Sequence, residues 1–145
     1  MALTRANVEF LIEARTGPLL TAAGMAVTVV GTNVDLNDPI ARAVRALGHA
    51  VASAVLVADA DVAAVTDAET DEFLDFCELF TLENILGNLD DVDIKVGPRS
   101  EALNQLAEKV ERKIERKMKS MERLYGYGMQ EVATGYIRLG FAEHS

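Results

Sequence analysis

Residues 100–125 read SEALNQLAEKVERKIERKMKSMERLY, and this stretch decides the fold. Leu103, Leu106, Val110, Ile114, Met118, Met121 and Tyr125 recur at spacings of three and four, with charged side chains nearly everywhere between them. That is the pattern of a long helix with one apolar stripe. Gly97-Pro98 or Ser100 supplies its start, and Gly126 its stop. At ~1.5 Å per residue such a helix is on the order of 40 Å long, enough for half of it to project past a small globular body.

Working outward, residues 87–97 read as a loop with three aspartates, Asp90, Asp91 and Asp93. Before it, Thr66-Asp67-Ala68-Glu69 is a capping-box pattern that opens a third helix running to about Leu86. Phe73, Leu74, Phe76, Cys77, Leu79, Phe80, Leu82, Ile85 and Leu86 cover more than one helical face. The helix is therefore expected in the centre of the core, with a subunit contact as the other way to cover it. Asp38-Pro39 opens a second helix that ends at Gly48, and Asp59 can cap one short turn. Thr4 caps a first helix, which Thr16-Gly17-Pro18 interrupts before a short continuation to Gly24. Residues 25–37 read as an extended excursion around Val27, Val29 and Val30, and residues 50–58 as irregular or β. The expected fold is mainly α: four principal helices with a long last one, a short extended excursion, and a C-terminal arm. Two units follow: a helical domain over 1–125 and an arm over 126–145.

The chain has 145 residues, enough for one domain with a real core. Half the residues are hydrophobic but only 6% are aromatic and none is Trp, which suits packed helices. No apolar run approaches the ~20 residues that span a bilayer. Arg5, Glu9, Glu13 and Arg15 interrupt any candidate signal peptide, so the chain is expected to be made in, and stay in, a cytosol.

The net charge is −9, unevenly placed: twelve acidic residues and no Lys or Arg lie between Asp59 and Asp93, while Lys109 to Arg123 holds seven basic residues against three acidic ones. The plain reading is two solvated helix faces. The sharper one is a subunit with a negative and a positive side, Asp71, Asp75 and Glu78 on one and Lys113 and Lys117 on the other, meeting its neighbour head to tail. Simple nucleic-acid binding is disfavoured, because most of the surface would repel phosphates.

The residues offer little to catalysis. His49 and His144 have no second ligand at zinc spacing. An EF-hand starting at Asp91 would need acidic or glycine residues where Lys95, Val96 and Ala102 stand. Cys77 lies between Phe76 and Phe80 and reads as a small core residue. Gly126-Tyr127-Gly128 opens like a dinucleotide fingerprint but has Glu131 in place of its last glycine and no strand before it. The chain is expected not to be an enzyme and to need no cofactor or metal. Residues 126–145 carry Tyr127, Tyr136, Ile137, Leu139 and Phe141, more apolar than tails usually are. They read as a docking arm that adds a strand to another protein's sheet or lies in its groove, with Gly126 and Gly128 as its hinge. Simple disorder is the plain alternative.

Four passages resemble the head-to-tail adaptor (connector, or head-completion) proteins of tailed bacteriophages and prophages. They are Leu3-Thr4-Arg5-Ala6-Asn7-Val8-Glu9-Phe10-Leu11, Asp35-Leu36-Asn37-Asp38-Pro39, Leu82-Glu83-Asn84-Ile85-Leu86-Gly87-Asn88-Leu89 and Val96-Gly97-Pro98-Arg99-Ser100-Glu101. The resemblance rests on their order and spans about residues 3–126; the terminal arm departs from it. It implies a virion protein of the neck, made in the host cytoplasm. Such a subunit joins a ring, twelvefold in the family, beneath the portal protein. The ring extends the DNA channel, receives a neck, stopper or tail-completion protein, and meets DNA only as passing cargo. An acidic stretch around Asp67 to Glu83 would suit the channel wall. The reading from another class is a small acidic regulator, such as an antitoxin or anti-repressor, that binds a protein partner through the long helix. A third is an Mg²⁺ enzyme using the Asp90 to Asp93 loop.

Overall fold

A computed structural model describes residues 3–53, 55–96 and 101–126, with the backbone alone for 90–96 and 101–103. The described residues are mainly helical, and none of them forms a strand. The first helix, α1 (Arg5–Ala22), begins where its cap allows: Thr4 Oγ1 accepts the Asn7 N–H at 3.2 Å, and Asn7 Oδ1 accepts the Thr4 N–H at 3.3 Å. The interruption expected at Thr16-Gly17-Pro18 does not occur, and Pro18 sits inside the helix. The bond that Pro18 cannot donate falls on a solvent face, since Ala14 and Pro18 are exposed, while buried Leu19 and Leu20 anchor the turn beyond it. Gly24, at φ +75°, ends the helix as expected, with its N–H on the Thr21 carbonyl.

Residues 25–33 carry no strand, and a 3-10 turn, Val34–Leu36, leads directly into α2 (Asn37–Ala46). The cap of this region is Asn33, whose Oδ1 accepts the Asp35 N–H at 2.9 Å, rather than Asp38. Gly48 ends α2 at φ +87°. Residues 49–53 and 55–58 are irregular. Asp59 opens the short α3 (Asp59–Ala63), but its carboxylate is turned to α1 and accepts the Arg5 N–H at 2.8 Å. The Thr66 capping box forms, with Glu69 Oε1 accepting the Thr66 N–H at 3.0 Å, and a 3-10 turn, Asp67–Glu69, opens α4 (Thr70–Val96). Backbone and His49 hydrogen bonding hold the Glu69 carboxyl below the usual range, the Thr66 N–H contributing most.

The loop expected from Gly87 onward is instead the last third of α4. A glycine inside a helix costs only about 1 kcal/mol, and buried Ile85 and Leu89 on either side keep the chain helical. Packed against α1, α2 and α5 (Glu101–Tyr125), α4 forms the centre of the molecule. Phe73, Phe76, Leu79, Phe80, Leu82 and Ile85 are almost fully buried, and the Phe76 and Phe80 rings stack with centroids 5.6 Å apart. The stripe of α5 is in register with this core. Ala107, Val110 and Met121 are buried, and Leu106, Ile114, Met118 and Tyr125 pack against them, so α5 lies along the body to its end rather than projecting.

Candidate functional site

Two polar clusters fix the shape of the surface. The first is buried and was not singled out in the sequence. Arg5 Nε lies 2.9 Å from Glu9 Oε2, one turn along α1, and both residues are wholly buried. Arg5 also donates to the carbonyl of Asn33 at 2.6 Å, the carbonyl of Val57 at 3.0 Å and Asn37 Oδ1 at 2.7 Å. Glu9 accepts the N–H groups of Val30, Gly31 and Asn33 at 3.1, 2.8 and 3.0 Å. Every partner beyond the pair lies in the irregular residues 30–33 or 55–58, except Asn37 at the start of α2. The pair thus supplies the backbone bonds that a strand would otherwise have supplied. Its one sequence signal is the placement of Arg5 and Glu9 on the same face as Val8 and Ile12.

The second cluster joins α1, α4 and α5. Lys117 Nζ lies 2.9 Å from Asp75 Oδ1 and 3.0 Å from Glu78 Oε1, and Arg15 Nη1 reaches the same two carboxylates at 3.3 and 3.1 Å. The Tyr125 hydroxyl donates to Asp75 Oδ2 at 2.7 Å. Burial opposes ionisation of Asp75, but hydrogen bonds from Tyr125 and Lys117 and the charges of Lys117 and Arg15 outweigh it and lower the carboxyl below its ordinary range. Burial and then the bond to Asp75 push the Tyr125 hydroxyl up.

The residues expected to meet across copies are therefore divided. Asp75, Glu78 and Lys117 complete one another's charges within the chain. Asp71 is exposed in the first turn of α4, and Lys113 lines an open groove of about 280 Å³ with Glu78, Arg116, Lys117 and Ser120. Among the described residues Lys109, Arg112, Lys113, Arg116, Lys119 and Arg123 form no ion pair, and neither do the exposed Glu108, Glu111, Glu115 and Glu122 of the same helix. Within the acidic stretch around Asp67 to Glu83, Asp75 and Glu78 are paired with Arg15 and Lys117, and Glu83 with Arg42 at 3.1 Å. Arg42 also lies 4.1 Å over the Phe80 ring. Burial raises the Glu83 carboxyl despite Arg42, and Glu83 Oε2 has no hydrogen-bond partner among the described residues.

Gly126, one of the two expected hinge residues, is at φ +78° and closes α5 with its N–H on the Glu122 carbonyl at 2.8 Å. Gly128, Tyr127, Tyr136, Ile137, Leu139 and Phe141 lie outside the described residues. Cys77 is buried, and burial pushes its thiol up, away from nucleophile chemistry. No group of three or more His, Cys, Asp or Glu is placed to hold a metal among the described residues, and no described helix is long and apolar enough to cross a membrane. No protein-family model, curated protein or solved structure matches the chain.

Proposed function

We propose that this chain is a head-to-tail adaptor of a tailed phage or prophage. As a structural subunit of four principal helices, it joins copies of itself in a ring below the portal, extends the DNA channel and receives a neck or tail component. The reading starts from the resemblance of residues 3–126. The observation that carries it beyond resemblance is the surface of α5, where Lys109, Arg112, Lys113, Arg116, Lys119 and Arg123 and the exposed Glu108, Glu111, Glu115 and Glu122 have no ion-pair partner among the described residues, a dense array of charge left for another surface. Such a face is suited to a surface of complementary charge on another subunit, and faces that meet head to tail give a ring when the rotation between copies closes.

Light scattering coupled to size exclusion tests this against the regulator reading, which requires a monomer or dimer at every concentration. The adaptor reading requires larger closed species that bind portal protein. A melting temperature raised by Mg²⁺ would favour the enzyme reading instead.

A further inference from the structure

Along α5 four glutamates are each followed directly by a base: Glu108-Lys109, Glu111-Arg112, Glu115-Arg116 and Glu122-Arg123. All eight side chains are exposed, and none forms an ion pair among the described residues. Successive residues of a helix are rotated by about 100° and raised by about 1.5 Å, so the two members of each dipeptide stand at one level without facing each other. The four bases thereby fall within a sector of about 60°, and the four glutamates within a second sector about 100° away. Both sectors lie opposite buried Val110 and Met121. The outer surface of α5 therefore carries a basic stripe and an acidic stripe, side by side and in step.

The chain itself does not answer these charges. Lys109, Glu111, Arg116 and Arg123 have no opposite charge three or four places away, where helical neighbours meet. Glu108 and Arg112 have that spacing but form no ion pair. Residues 127–145 carry only Glu131, Arg138 and Glu143, too few to match eight charges. An acidic surface such as that around exposed Asp71 would meet the bases and leave the glutamates unanswered.

A second α5 answers both stripes. Laid parallel and without stagger, it sets its glutamates against the bases of the first helix, each pair at a matching height. Turned end for end, it brings like stripes together, which repel. We propose that α5 pairs in parallel with the α5 of a second copy, acidic stripe to basic stripe. This deepens the ring reading by naming the contact between copies, and it rests on that reading for self-assembly and for the number of copies.

Two variants of the full-length chain test it. One is Glu108→Lys/Glu111→Lys/Glu115→Lys/Glu122→Lys, and the other is Lys109→Glu/Arg112→Glu/Arg116→Glu/Arg123→Glu. Each alone is expected to self-associate about tenfold or more weakly than the unaltered chain at low ionic strength, read by light scattering. An equimolar mixture is expected to recover association, with helical content unchanged throughout because all eight sites are exposed. In the unaltered chain, carbodiimide cross-linking of mixed isotope-labelled and unlabelled protein is expected to join Glu108 of one copy to Lys109 of another. Cross-links between copies from Glu122 to Lys109 would show antiparallel helices and overturn the proposal. Association undiminished in both variants, or lost in both and not recovered on mixing, overturns the proposal; rings that still form in either variant leave the ring reading standing. Recovery on mixing in particles no larger than dimers supports the proposal and removes the ring. Absence of association by the unaltered chain at every concentration removes both.

Discussion

Arg5 and Glu9 form an ion pair at 2.9 Å with side chains 1% and 0% exposed, and between them they bind the backbone of residues 30, 31, 33 and 57. Removing one partner leaves the other charge buried and unpaired, which costs about 3–5 kcal/mol. Glu9→Ala and Arg5→Ala are each expected to lower stability by that amount in urea titrations. The double variant Arg5→Met/Glu9→Leu is expected to lose less than the sum of the two, because no orphaned charge remains. Strictly additive losses would mean that the pair does not act as a unit.

Continuity of α4 through Gly87 gives a prediction of opposite sign. Gly87 is exposed, its φ is not positive, and an added Cβ would meet nothing within 4 Å. Gly87→Ala is expected to stabilise the protein by about 0.5–1 kcal/mol, since alanine loses less backbone entropy in a helix. A loop at this position would give no such gain, and a melting curve distinguishes the two.

Much of the fold was legible in the sequence where local chemistry and tertiary packing agree. The three-and-four stripe of α5, the Thr4 cap, the Thr66-Glu69 capping box and the many-sided burial of α4 all belong to that class. Misreadings arose where packing overrode a local breaker: Pro18 and Gly87 each weaken one turn, but buried Leu19 and Leu20 beyond Pro18, and Ile85 and Leu89 on either side of Gly87, hold the helix. The Arg5 and Glu9 site was hidden for a different reason. Apart from the Asn37 side chain, its partners are backbone groups as many as 52 residues away, and backbone groups leave no mark in a sequence. Charge segregation was visible, but the pairing of Lys117 with Asp75 and Glu78 inside one chain depends on how α4 and α5 lie together.

Lys113 and Lys117 are accordingly expected to behave differently. Lys117→Glu places a third carboxylate beside Asp75 and Glu78, and is expected to destabilise the isolated subunit by on the order of 2 kcal/mol. Lys113→Glu is expected to leave the melting temperature within about 1–2 °C while weakening association, more so at low salt where exposed charges are least screened. Equal effects of both on melting would contradict the difference in their surroundings.

Acid stability separates Asp75 from Glu83. The Asp75 carboxyl is lowered in the folded state, so its contribution is present above the ordinary aspartate value and lost as pH falls through the lower folded one. Asp75→Asn is expected to flatten the fall in stability below about pH 4. The Glu83 carboxyl is raised, so the folded state binds more protons than the unfolded chain just above the ordinary glutamate value, and stability declines as pH rises through that window. Glu83→Gln is expected to abolish that decline. Chemical denaturation across pH 3–7 reads both effects, and an unchanged slope in either variant would contradict the assigned cause.

The adaptor account is tested most directly by native mass spectrometry of the full-length chain over a concentration series at low ionic strength. It predicts closed assemblies at a single high multiple of the 15.7 kDa subunit, diminished by Lys113→Glu and restored when salt-independent contacts are supplied by portal protein. Monomers and dimers alone at every concentration, with and without portal protein, would contradict it.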